Sequence, residues 1–361
     1  MSLDKIENKA AGPAIVAVAN AARAFDAPVR YPLLFATPNA FPFSNGMLPR
    51  NSAFVTLVEH FLGFIILLPI FFFVRGLNHI VEALKEFTKK EWFSVVFISA
   101  GGSALGLFFF LISLVYGNPT VAIILQKSQP LITLAFAAVV LKERPIREYW
   151  IALAVSIFGI LMLAYPDIIG NNSELNTDAL IAVVASLLAA TFWGGSTVFG
   201  RILTENKNLD HWDVTMLRYT GGFLFLIIVN LILFTYTAEN FEFLTKSIDV
   251  FGTNNSGAII QSGLSLIALF CIIYSVIFTG GILPLAVYYK GLSLTKASIA
   301  GLAELAFPVL AIFVNYIFLG FGLELIQIAG AVILLVCVTA LSYINSLQME
   351  KEPQVSGTGT E

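Results

Sequence analysis

Apolar runs close to the ~20 residues that a bilayer-spanning helix needs recur along almost the whole chain. They fall near residues 10–30, 52–74, 92–115, 119–141, 148–166, 178–201, 212–236, 264–289, 297–319 and 324–345. These ten runs predict an all-α integral membrane protein. The first run is the least regular, because it holds Arg23, Asp26 and Pro28. Between the second and third runs, Ile80, Leu84 and Phe87 recur at helical spacing with charges opposite, which predicts a helix on the membrane surface. Residues 237–262 read as a polar external loop and residues 346–361 as a short disordered tail.

The charges between the runs orient the chain. With the N-terminus inside, fourteen Lys and Arg residues fall in inside segments, among them Lys89, Lys90, Lys142, Arg144, Arg147, Arg201, Lys290 and Lys296. Outside segments hold Arg50 and Lys246. That asymmetry obeys the positive-inside rule and predicts cytoplasmic N- and C-termini. The expected location is a cell membrane, as a multi-pass protein of a bacterial or archaeal plasma membrane.

The runs also repeat. Pro130 in the fourth and Pro308 in the ninth superpose at a shift of 178 residues. The segment TLVEHFLGF (Thr56 to Phe64) aligns with TMLRYTGGF (Thr215 to Phe223), placing Glu59 opposite Arg218 and His60 opposite Tyr219. Five runs per repeat is an odd number, so the halves must be inverted. The expected organisation is a cytoplasmic tail (1–9), a five-helix repeat (10–166), an external linker (167–177), a second five-helix repeat (178–345) and a cytoplasmic tail (346–361).

Composition agrees with this reading: 58% of residues are hydrophobic, 12% are charged, and the mean hydropathy is +0.86. Soluble domains carry about 25% charged residues. A net charge of −3 gives no basic surface for nucleic acid. Cys271 and Cys337 both lie inside apolar runs, with no metal-binding spacing, so neither metal nor cofactor is expected. His60, His79 and His211 form no HExxH and do not converge on a nucleophile, so an enzyme is not expected. GxxxxGK[ST] is absent, so the chain is not expected to be driven by ATP directly.

Several runs carry charge where hydrocarbon should allow none. Lys127 precedes Pro130 by three residues, and Glu304 precedes Pro308 by four. Each intramembrane charge costs roughly 2.5–3.5 kcal/mol on insertion scales, so it needs a partner or a wet cavity. Proline breaks in repeat-mate helices point to a carrier's midplane site. The candidate substrate- or ion-binding residues are Glu59, Gln126, Lys127, Gln129, Trp193, Arg218, Tyr219, Tyr288 and Glu304, with Pro130 and Pro308 as helix breaks. Glu59 and Glu304 suit a proton or a cationic group; Lys127 and Arg218 suit a carboxylate or phosphate. Asp26 and Arg30, four residues apart, read as a local helix-face pair.

The segments LQKSQPLITLAFAAVVLKERP, WGGSTVFGR (Trp193 to Arg201), TMLRYTGG and LPLAVYYKGLSLTKASIAGLAELAFPVLAIFVNYIFLG resemble the EamA-type drug/metabolite transporters, in order, spacing and run count across most of residues 52–345. The resemblance implies ten helices in two inverted repeats. The Trp-Gly pair often found in both repeat-opening helices stands here once, at Trp193-Gly194. The acidic residue after the fourth helix is Glu143, but its repeat-mate is Phe321. Glu59 stands where an arginine is common. The expected function is secondary transport of a small polar metabolite, such as an amino acid or organic anion, by alternating access with proton or exchange coupling. The expected partners are the solute and the bilayer, with a second copy of the chain as a further candidate. The alternative is a non-transporting membrane scaffold or regulator.

Overall fold

A computed structural model describes residues 12, 14–19, 21–35, 48–75, 78–142, 147–169, 175–206, 208–234, 270–279, 281–294 and 306–351. Among them the fold is helical. A 3-10 turn (Ala22–Phe25) leads into α1 (Asp26–Phe35), followed by α2 (Leu48–Pro69), which ends in a π-helical turn (Ile70–Arg75). The short α3 (Asn78–Lys85) precedes α4 (Lys89–Val96), a π-helical stretch (Phe97–Leu105) and α5 (Gly106–Tyr116). Next come α6 (Pro119–Leu125), a 3-10 turn (Gln126–Ser128) and α7 (Gln129–Val140). The long helices α8 (Arg147–Ile168), α9 (Thr177–Thr204) and α10 (His211–Phe234) follow. A π turn (Ser275–Thr279), α11 (Ile282–Ser293), α12 (Ala306–Leu319) and α13 (Leu325–Lys351) complete the described chain.

Seven described helical stretches are long and apolar enough to cross a membrane: Val55–Phe73, Lys89–Tyr116, Pro119–Val140, Arg147–Ile168, Thr177–Thr204, His211–Ile232 and Phe270–Ser293. Leu310–Leu319 and Leu325–Cys337 are shorter apolar helices. Large apolar side chains stand exposed along them, including Phe73, Phe158, Ile317 and Val336. Such outer surfaces suit hydrocarbon, where the helix satisfies its own backbone. The 237–262 loop, Glu304 and residues 352–361 lie outside the described residues, and residues 346–351, expected in a disordered tail, instead continue the helix α13.

Local chemistry sets the helix ends. Asn118 caps α6 by accepting from the Thr120 N–H at 2.9 Å, with Pro119 preset at the first helical position. Thr88 and Glu91 form a reciprocal capping box at α4. Pro130 cannot donate to the Gln126 carbonyl, as an α-helix would require. The Gln129 N–H takes that carbonyl instead, so the chain tightens into the 3-10 turn between α6 and α7.

Two backbone features recur at the 178-residue repeat shift. π-helix begins at Phe97 and again at Ser275. A left-handed residue follows α7 at Lys142 (φ 57°) and α12 at Gly320 (φ 72°). The helix between α2 and α4 is amphipathic, as its sequence predicts, but it packs its Ile80 and Ala83 into the bundle. The α8 and α13 helices cross closely at Gly159 and Gly330. A Cβ on Gly330 would come 2.6 Å from the Gly159 carbonyl, so the approach depends on the missing side chain.

Candidate functional site

Within the bundle, α1, α2, the π stretch before α5, α7, α9, α10 and α11 surround a cavity of about 80 Å³. A single water needs about 10–15 Å³ measured this way, so the cavity has room for several. Both repeats supply its walls. Arg23, Asp26, Arg30, Glu59, His60, Ser103 and Gln129 come from the first, and Trp193, Ser196, Thr197, Arg218, Tyr219 and Tyr288 from the second.

One corner is an ion cluster. Arg30, on α1, donates through Nε to Glu59 Oε1 at 2.9 Å and through Nη2 to Oε2 at 3.0 Å. Its Nη1 meets Asp26 Oδ1 at 2.6 Å, and Arg23 Nε lies 3.7 Å from Asp26 Oδ2. Arg30, Asp26 and Glu59 are all buried. The planar guanidinium matches both carboxylate oxygens at once, which fixes α1 against α2. The Asp26–Arg30 pair is therefore present, but it is one edge of a larger cluster whose main bond spans 29 residues of sequence. Glu59 meets Arg30 there and not Arg218, the charge at its repeat position.

The opposite corner is built from neutral groups. Arg218 donates to Ser103 Oγ at 2.9 Å, to the Tyr289 hydroxyl at 3.1 Å and to the Gly102 carbonyl at 3.0 Å. The same carbonyl accepts the Trp193 Nε1–H at 2.8 Å. Gly102 lies in the π stretch, a kind of bulge common at functional sites. Between the corners, Gln129 reaches Thr197 at 3.4 Å, and the Thr197 and Tyr288 hydroxyls are 3.0 Å apart. The Arg23 guanidinium stands 5.2 Å from the Trp193 ring centroid, within cation–π range. His60 turns Nδ1 to the Thr56 carbonyl at 2.9 Å and packs its ring against Tyr219.

Of the residues singled out in the sequence, Glu59, Gln129, Trp193, Arg218, Tyr219 and Tyr288 meet at this cavity. Gln126 and Lys127 are buried in the 3-10 turn and do not line it. Pro130 follows that turn as expected of a break; Glu304 falls outside the described residues, as do the surroundings of the Pro308 side chain. The cavity also gathers Arg23, Arg30, His60, Ser103, Ser196 and Thr197, which the sequence did not single out as binding residues. Among the described residues, no group of three or more His, Cys, Asp or Glu is placed to hold a metal ion.

A family model described as "EamA-like transporter family" matches residues 40–165 and 180–343. The chain belongs to the EamA-like transporter family. It is a multi-pass membrane transporter, and its family and helical architecture agree with the two-repeat reading of the sequence. A curated relative, "Riboflavin transporter ImpX" of Fusobacterium nucleatum subsp. nucleatum (strain ATCC 23726 / VPI 4351), is 26% identical over 303 residues, covering 81% of this chain and 88% of the relative. A solved structure named only "Crystal structure of protein" covers 92% of this chain and 98% of its own, at 14% identity and a TM-score of 0.48. So loose a likeness carries no argument. The two family matches correspond to the two sequence halves, and both feed the cavity. Arg23, Asp26 and Arg30 lie before the first matched stretch, so the ion cluster joins a helix outside the family match to a helix within it.

Proposed function

We propose that this EamA-like transporter is a secondary carrier that moves a flavin-class solute through the midplane cavity by alternating access. The observation that carries the proposal is one polar, aromatic cavity walled by both repeats. Trp193, Tyr219 and Tyr288 offer ring surface to a flat heteroaromatic solute. Gln129, Ser103, Ser196 and Thr197 offer hydrogen bonds to ring edges and hydroxyls. A planar tricycle bearing a polyol chain, as in riboflavin, has matching chemistry, and the riboflavin transporter among the relatives supports it. The amino acids and small anions suggested by sequence lack a large ring to use these aromatic walls.

In this proposal ten helices form two inverted repeats, 10–166 and 178–345, joined by the external linker 167–177. The tails 1–9 and 346–361 are cytoplasmic, and the membrane is a plasma membrane. The two halves rock about the cavity, opening it to one side at a time. Both oxygens of Glu59 are held by Arg30, so a proton arriving there must displace the guanidinium. Proton coupling is therefore assigned to Glu304. Replacing Glu304 by Gln should abolish proton-driven flux and spare exchange; flux that still follows the pH gradient in that variant would remove the proton role.

Counterflow in proteoliposomes tests the proposal. Preloaded unlabelled riboflavin should accelerate entry of labelled riboflavin, and Trp193→Ala should lower that rate by tenfold or more, from loss of roughly 1.5 kcal/mol of ring contact. Absence of flavin counterflow alongside counterflow of another solute removes the flavin class. Absence of counterflow with every solute removes alternating-access exchange.

A further inference from the structure

We infer that Arg218 is an anion-binding residue, and that the transported solute presents a carboxylate or phosphate to it. The inference rests on the carrier reading of the cavity but not on the flavin ring. Every charged residue in the other corner has an opposite charge at hand: Arg30 has Glu59 and Asp26, and Asp26 also has Arg23. Arg218 differs. Its partners are a hydroxyl, a phenol and a peptide carbonyl. Among the described residues it makes no ion pair with a carboxylate.

Three neutral acceptors hold the guanidinium in place without neutralising it. A guanidinium has five N–H donors, and three are placed on these acceptors, which leaves two. Arg218 is half-buried and lines the cavity, so those two can meet what enters it. Closing the cavity around a neutral solute would strip water from an uncompensated charge, which is costly in a low-dielectric interior. Closing it around an anion supplies the missing partner. The planar N–H pair suits two oxygens of a carboxylate or phosphate. The corner is thus formed but electrically incomplete, whereas the Arg30–Glu59 corner is already closed.

Purified full-length protein in detergent is followed by thermal unfolding against equal concentrations of three probes: riboflavin, which is neutral; riboflavin 5′-phosphate; and 10-carboxymethylflavin. At least one charged flavin should bind about tenfold or more tightly than riboflavin, the scale of one hydrogen-bonded charge pair. Preference for the phosphate alone names a phosphate subsite; preference for both charged probes names a general oxyanion subsite. Arg218→Gln should bind all three alike, and Arg218→Lys should keep part of the preference. Riboflavin binding as tightly as both charged flavins, or a preference that survives Arg218→Gln, would overturn the inference. If no flavin stabilises the protein, the flavin proposal fails, and Arg218 is tested without a ligand. Ser103→Asp places a carboxylate beside Arg218, and Ser103→Asn is its neutral counterpart of the same shape. The Asp variant should unfold at the higher temperature; equal or lower stability than the Asn variant overturns the inference.

Discussion

Glu59 and Arg218 occupy the same position in the two sequence repeats, and the fold treats them in opposite ways. Glu59 is buried and held at both oxygens by Arg30, with Asp26 on the far side of the guanidinium. Arg218 is half-buried and held by Ser103, Tyr289 and Gly102. The first arrangement cancels charge inside the protein. The second fixes a charge in place and leaves it facing the cavity. Duplicated helices can therefore keep a polar position in register while dividing its work, with one copy tying helices together and the other facing the cavity. The helix that supplies Arg30 precedes the family-matched region, so the closed corner depends on a segment that the second half does not mirror in charge.

The strongest way to break this contrast is at Glu59. Glu59→Gln keeps the shape but leaves Arg30 with Asp26 alone, a carboxylate it already shares with Arg23. Uncovering one buried charge should destabilise the protein by about 3 kcal/mol. The measurement is the detergent unfolding midpoint with and without Arg30→Met. The double variant removes both charges of the pair and should regain most of the loss. A Glu59→Gln variant as stable as wild type would mean that the ion cluster does not hold α1 to α2.

The helical fold was largely legible, because hydrocarbon imposes a length and a polarity on each span. The run read at 148–166 is the helix Arg147–Ile168, and that at 119–141 is Pro119–Val140. The break after Leu125 followed from Pro130. The π turns did not, since a wide helical turn in FISAGGSAL leaves no apolar periodicity of its own. At the cavity, Arg218 and Trp193 drew notice because large or charged groups are costly or unusual at mid-span, and Tyr288 because it ends the eighth run beside Lys290. The Arg30–Glu59 bond escaped because spacing rules see Asp26, four residues away, and cannot see a partner 29 residues off on another helix. Ser103, Ser196 and Thr197 gave no signal, since small hydroxyls inside helices commonly satisfy a preceding carbonyl. Lys127 lies about 100° around the helix from Gln126, whereas Gln126 and Gln129, three residues apart, share a face, so spacing alone could not tell which glutamine meets the cavity. The cavity takes Gln129 and leaves the other two elsewhere in the core.

A smaller perturbation tests the open corner. Tyr289→Phe removes one of Arg218's three acceptors while preserving the ring that packs into the α9 and α11 core. One lost hydrogen bond to a charge should cost about 1.5–2 kcal/mol if the donor stays buried. Arg218 itself is half-buried at the cavity wall, where water can reach the guanidinium, so the stability loss should be under about 1 kcal/mol. Solute affinity should change more than stability does. A loss as large as that of Glu59→Gln would place Arg218 in the closed structural class with Arg30, and the contrast between the corners would collapse.

The smallest expected effect lies at the ends of the repeat-mate helices, where the two halves share a backbone shape and differ in residue. Lys142 and Gly320 both adopt left-handed φ values, 57° and 72°. Glycine reaches that region without a Cβ clash, whereas an ordinary side chain there costs about 1–2 kcal/mol. In the proposed topology Lys142 is inside and Gly320 outside, so the strained lysine places a positive charge where the positive-inside rule wants one. Lys142→Gly should then stabilise the folded protein by about 1 kcal/mol, after the entropy of the freer unfolded chain offsets part of the relieved strain. Gly320→Lys should destabilise it by a similar amount, since nothing within 4 Å of a Cβ there adds a clash of its own. Paired unfolding midpoints read both. If the two substitutions shift stability in the same direction, the turns are not equivalent, and the 178-residue register does not extend to the helix ends.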